Sequence, residues 1–129
     1  MNKIIVEVSI GELLDKISIL EIKQEKIKDP EKLKFIHKEH SILKDQLGKN
    51  VKTDDKLSNL YQSLKDINAK LWVIEDDKRE CEKNKDFGEK FIKLSRDVHF
   101  LNDDRAKIKL EINIHTRSVI KEIKEYTSY

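Results

Sequence analysis

An all-α fold, an antiparallel bundle of two unequal helical hairpins with coiled-coil-like seams, is predicted by three features of the sequence. Apolar residues recur at alternating spacings of three and four along most of the chain, the period of a helix with one buried face. Three glycines and one proline in 129 residues are too few to punctuate a strand-and-turn protein. Charged residues make up 40% of the chain and hydrophobic ones 37%, enough for one modest core under solvated helix faces. The length suits a single helical domain over 1–129, with one hairpin at 10–47, a longer one at 54–117, and terminal segments 1–9 and 118–129.

The chain opens with Ile4, Ile5, Val6, Glu7 and Val8, a β-branched run short enough for one edge strand. Ser9 with Glu12 three positions later is a capping box, and Leu13, Ile17, Leu20 and Ile27 carry an apolar face on to about Lys28. Asp29 and Pro30 stop that helix and start the next, whose seam is Leu33, Ile36, His40, Leu43 and Leu47, with Gly48 as its expected C-terminal cap. A third helix begins after Thr53 or Asp54 along the unbroken seam Leu57, Leu60, Leu64, Ile67, Leu71, Ile74. After a turn at Asn84, Lys85 and Asp86, the fourth repeats that spacing over Phe87, Phe91, Leu94, Val98, Leu101, Arg105, Ile108, Ile112, His115 and Val119.

Each helix of the second hairpin is expected to reach about 45 Å, against about 27 Å for the first, at 1.5 Å per residue. The short hairpin cannot cover the long one. A homodimer is therefore expected, with an unidentified protein partner as another way to cover the seam. The tail from Ser118 to Tyr129, which carries Val119, Ile120, Ile123, Tyr126 and Tyr129, either pairs with residues 4–8 in a small terminal β-ribbon or continues the fourth helix.

Several functions are disfavoured by composition. No apolar run approaches the ~18 residues of a membrane span, and Glu7 interrupts the N-terminus too early for a signal peptide, so a soluble, cytoplasmic protein is expected. Net charge is only +2, with both signs interleaved, as in Glu21, Lys23, Glu25, Lys26, Lys28 and Asp29; this is not the basic face of a nucleic-acid binder. The lone Cys81 offers neither an internal disulfide nor a metal-binding spacing.

Chemistry-bearing motifs are sparse. Phosphate loops, nucleophile elbows and H-E-x-x-H zinc motifs do not occur, and no Glu precedes a histidine by three positions as a di-iron bundle requires. His37 and His40 lie on adjacent turns and, with Glu21 from the first helix, are the weak candidates for a metal; a hydrogen-bonded seam histidine is the simpler reading, and no metal or other cofactor is assigned. Glu12 with Asp15 matches one acidic pair of the all-α nucleoside-triphosphate pyrophosphohydrolases, but no second helix supplies a clean Glu-x-x-Glu. Catalytic residues are not assigned.

What stands out is polar clusters on the long hairpin: Trp72, Glu75, Asp76, Asp77 and Arg79 on one helix, and Asn102, Asp103, Asp104 and Arg105 on the other. A turn near Lys85 sets Asn68 beside Asn102 and Asp103. Arg105, at a seam position, needs an acidic partner because an isolated buried charge costs several kcal/mol, on the order given by desolvation. Glu21, Asp66 and Asp103 are the expected partners. Two readings stay open: a pocket where Glu21, Asn68, Trp72, Glu75, Asp76, Asn102, Asp103 and Arg105 hold a phosphorylated or anionic small molecule, or an ion-pair layer that fixes helix register.

The stretches Gly11-Glu12-Leu13-Leu14-Asp15-Lys16-Ile17-Ser18-Ile19-Leu20-Glu21-Ile22-Lys23, Leu71-Trp72-Val73-Ile74-Glu75-Asp76 and Asn102-Asp103-Asp104-Arg105-Ala106-Lys107-Ile108-Lys109 resemble a family of small bacterial and phage proteins classed as a domain of unknown function. The resemblance extends over nearly the whole chain and includes the tail from Glu122 to Tyr129. It departs near Thr116 and Arg117, where the pattern has Gly-Ser. No activity, cofactor or partner is implied by it.

Overall fold

The computed structural model describes residues 2–125, 127 and 128, and contains four helices: α1 (Ile10–Lys26), α2 (Pro30–Asn50), α3 (Asp55–Lys83) and α4 (Glu89–His115). Each of the first three starts where a side chain satisfies an otherwise orphaned backbone donor. Ser9 Oγ accepts from Glu12 N–H, Asp29 from Glu31 N–H with Pro30 in the first turn, and Asp54 from Leu57 N–H. Gly88 begins α4 without a side-chain cap.

The packing is centred on α1, which lies against all three other helices, while α3 and α4 pair along their lengths. Leu14 and Ile17 of α1 meet Leu57 and Leu64 of α3 and Ile112 of α4 in the core, edged by Leu43, Leu47, Leu60, Tyr61 and Ile108. Close approach to α4 requires a glycine: a Cβ on Gly11 would stand 2.6 Å from the Lys109 carbonyl oxygen. Seven residues of α1 are buried, and none of α2, although Leu33, Ile36, His40, Leu43 and Leu47 of the predicted α2 seam are half-buried. Position in the assembly, more than apolar content, decides which helix is enclosed.

α1 spans about 26 Å and α3 about 44 Å at 1.5 Å per residue, so the far half of the α3–α4 hairpin runs past the end of its cover. Between Ala69 and Leu101 only Cys81 is buried.

Several boundaries differ from the sequence expectation. α2 continues through Gly48 to Asn50 because nothing near that glycine forces a stop, and Val51 caps it. Phe87 precedes α4 and is half exposed, while Val119 lies beyond its end at 98% exposure; both drop out of the predicted seam. The reason at the C-terminal end is local. Ser118 N–H donates to Asn113 O (2.9 Å) and Arg117 N–H to Ile114 O (3.3 Å), with Arg117 at φ 54, a left-handed helix termination that glycine makes without strain. The departure from the Gly-Ser pattern thus falls on a strained position.

The terminal β-ribbon is absent among the described residues: 2–8 and 119–125 form neither helix nor strand, and Ile4, Ile5 and Val6 are exposed. The tail instead runs back along α4 through polar contacts. Of its expected apolar contributors, Tyr126 and Tyr129 lie outside the described residues.

Candidate functional site

The α1–α4 contact is polar, and its residues form a stripe. On α1, Glu12, Asp15 and Ser18 recur every three residues; on α4, Asn102, Arg105, Lys109 and Asn113 recur at three and four. Asp15, 1% exposed, receives a bidentate pair from Arg105, through Nε to Oδ1 at 2.9 Å and through Nη2 to Oδ2. Asn68 Nδ2 on α3 donates to the same Oδ1 (2.9 Å) and is 2.8 Å from Ser18 Oγ, which itself donates to the Asp15 carbonyl. One carboxylate therefore ties three helices together. The hydrogen bonds from Asp15 hold the Arg105 guanidinium above its ordinary pKa, against burial, which works the other way.

One turn along, Lys109 Nζ donates to Glu12 of α1 (2.7 Å) and to Glu122 of the tail (2.8 Å), and Lys124 also contacts Glu122 (2.9 Å). Burial alone would lower the Lys109 pKa; the two carboxylates more than reverse that and raise it. Glu122 is held down to about 2, by the Lys109 hydrogen bond first and Lys124 next. At the start of α1 the N–H groups of Ile10, Gly11 and Glu12 go to Ser118 Oγ, Asn113 Oδ1 and Ser9 Oγ, so that helix terminus is closed to an external anion. The Asn113 amide nitrogen beside it is buried with no hydrogen-bond partner among the described residues.

Two cavities flank Arg105. The smaller, about 300 Å³ and open between α1, α3 and α4, brings together Asn68, Trp72, Glu75, Asn102 and Arg105, five of the residues singled out by sequence. The larger, a cleft of about 760 Å³ along α4, is lined by Val98, Asn102, Arg105, Ala106, Lys109 and Lys124, with Asp103 also in its wall. Asp76 is exposed and lines neither.

Glu21 belongs to a separate cluster across α1. Tyr61 donates a very short hydrogen bond to its Oε1, His40 Nε2 is 3.0 Å from Oε2, and Lys65 is 3.7 Å away. Burial works to raise the Glu21 carboxyl, but Tyr61, His40 and Lys65 outweigh it and hold the pKa low; Tyr61 is pushed well up by burial and by that same carboxylate. The expected pairing of Glu21 with His37 is off by one turn: His37 sits 3.0 Å from Gln24, and His40 meets Glu21. No group of three His, Cys, Asp or Glu side chains among the described residues is arranged to hold a metal.

Two of the expected acidic partners of Arg105, Glu21 and Asp66, are also corrected. Asp15 takes that place because α1 crosses α4 at its level, while Glu21 faces α2 and α3 and Asp66 accepts from Gln62 on the surface. Asp15, Ser18, Lys109 and Glu122 were missed as site residues. Their signal was present: a polar stripe beside the apolar one on each helix.

No helix among the described residues is long and apolar enough to cross a membrane. No curated protein or solved structure matches the chain. A family model described as "Family of unknown function (DUF6165)" matches residues 4–129, so the chain belongs to that family.

Proposed function

We propose that the protein is a self-associating helical interaction module, a homodimer whose subunits meet through the far half of the α3–α4 hairpin. The observation that carries this reading is the division of side chains. Near α1 most polar groups pair internally over a buried seam, whereas from Ala69 to Leu101 the seam is only half-buried, Cys81 aside. Val73, Phe87, Ile92 and Phe100 are exposed there, and Ala69, Val73, Ile74, Phe100 and Leu101 line a groove of about 600 Å³ flanked by Lys70 on α3 and Asp97 on α4. Lys70 and Asp97 stand on its opposite edges, Asp97 also paired with Lys93 at 2.8 Å, and a two-fold axis sets Lys70 of one copy against Asp97 of the other. Sedimentation velocity over a range of concentrations tests it. The wild-type chain is expected to sediment as a dimer and a V73E/F100E double variant as a folded monomer; a wild-type monomer at all concentrations overturns the proposal.

A second reading, binding of an anionic small molecule, is supported by the cleft of about 760 Å³ into which Arg105, Lys109 and Lys124 all face. The two readings use different surfaces and do not exclude each other.

A further inference from the structure

The tail has no helix or strand between 119 and 125, and of its apolar members there Val119 is 98% exposed and Ile123 79%, with Ile120 half-buried. Polar contacts fasten it. Ser118 Oγ accepts from Ile10 N–H, and Glu122 reaches Lys109 at 2.8 Å. A carboxylate is thus delivered by a loosely held strap to an amine only 9% exposed that already has one carboxylate, Glu12.

Where Glu122 stands matters more than the bond itself. It lines a cavity of about 320 Å³ that shares Asp103, Ala106 and Lys124 with the larger cleft, while its partner Lys109 lines the cleft. Glu122 thus stands in the wall of one cavity and reaches the amine that lines the other. Arg105 is matched by Asp15, Lys109 by Glu12 and Glu122; removing Glu122 leaves Lys109 with Glu12 alone, in a partly buried setting where charge-assisted hydrogen bonds are strong. Val98 and Ala106 add apolar wall, and the cleft volume falls in the range of small-molecule sites.

We infer that this cleft binds a small molecule through its phosphate or carboxylate group, and that Glu122 is the built-in occupant of the anion position, displaced when the ligand enters. The inference rests on the second reading above. An incoming oxyanion takes over the Lys109 Nζ donor, with Lys124 at the rim, and the apolar wall receives the rest of the molecule. The Glu122 side chain then leaves Lys109 while Lys124 stays at the rim, so ligand binding and loss of the Glu122–Lys109 contact are one event. Phosphate and carboxylate share the recognition chemistry at Lys109.

Titration of the full chain with inorganic phosphate and, separately, malonate tests this, followed by backbone amide NMR shifts at 102–109 and 119–125 with sodium chloride at matched ionic strength as reference. The wild-type chain is expected to bind weakly, with both segments shifting together. E122Q, which keeps the shape of the side chain and removes its charge, is expected to bind about tenfold more tightly, as for the loss of ~1.4 kcal/mol of competition. K124Q, at an exposed position, is expected to bind severalfold more weakly while remaining folded. Equal affinity for E122Q and wild type overturns the role of Glu122 and leaves the anion site standing. No response at 102–109 in either protein, beyond that to chloride, overturns the site itself. The stronger of the phosphate and malonate responses identifies which oxyanion the cleft favours.

Discussion

The half of the α3–α4 hairpin that α1 covers and the half that it does not are written in the same kind of sequence, yet they come to opposite ends. In the covered half Leu57, Leu64, Asn68, Lys109, Ile112 and Asn113 are buried, polar members included. In the uncovered half Cys81 is the one buried residue; the seam members Leu71, Ile74, Phe91, Leu94, Val98 and Leu101 are half-buried, and Val73 and Phe100 beside them are exposed. The difference lies outside the hairpin, in the reach of a 17-residue helix laid against a 29-residue one. A seam of regular spacing specifies that something covers it; what covers it is decided elsewhere.

The comparison is broken most forcefully at Asp15. D15A leaves Arg105 without its carboxylate and Asn68 with Ser18 alone in the covered half, and a loss of about 3 kcal/mol is expected, the low end for removing one partner of a buried ion pair because Arg105 keeps some water. V73S in the uncovered half is expected to stay within about 0.5 kcal/mol for the monomer, as for other surface changes. Urea denaturation of both variants at a concentration low enough to dissociate a dimer makes the comparison. Equal losses would contradict it.

Acid sharpens the same contrast. Glu122 and Glu21 both have lowered pKa values in the folded chain, Glu122 at about 2. A carboxylate lowered on folding adds stability at pH above its unfolded value of about 4.4 and loses it as pH falls toward its folded value. Melting temperature is therefore expected to fall between about pH 4.4 and 2 more steeply for the wild type than for E122Q. Parallel curves would remove Glu122 from the account. The smallest effect is at Arg117, where φ 54 favours glycine: R117G is expected to stabilise by about 0.5 kcal/mol, read by the same denaturation, and a loss would contradict the strain assigned there.

Much of the fold was legible because its signals are local. The capping box at Ser9, the Asp29-Pro30 junction, the Asp54 cap and the leucine seam of α3 each depend on residues within a turn or two, and each falls where expected. The partner of Arg105 was not legible, because it depends on how α1 lies across α4, and that is fixed by Gly11 against the Lys109 backbone, a contact 98 residues apart in sequence. Reading apolar seams alone also conceals a polar seam one position away: Ile108 and Ile112 were found, and Lys109 and Asn113 beside them were not. Asn68, Trp72, Glu75, Asn102 and Arg105 do line one cavity, Asn68 beside Asn102 as a turn near Lys85 requires. Glu21 does not join them, since a helix enclosed on three sides presents different residues to each neighbour.

The claim on which the rest depends is that a second copy covers the far half of the hairpin. Hydrogen exchange measured at rising protein concentration tests it most directly. Protection is expected to grow with concentration over 69–101, while α1, already enclosed, keeps the same slow exchange throughout. Exchange over 69–101 that does not change with concentration, or protection that grows instead over α2, would contradict it.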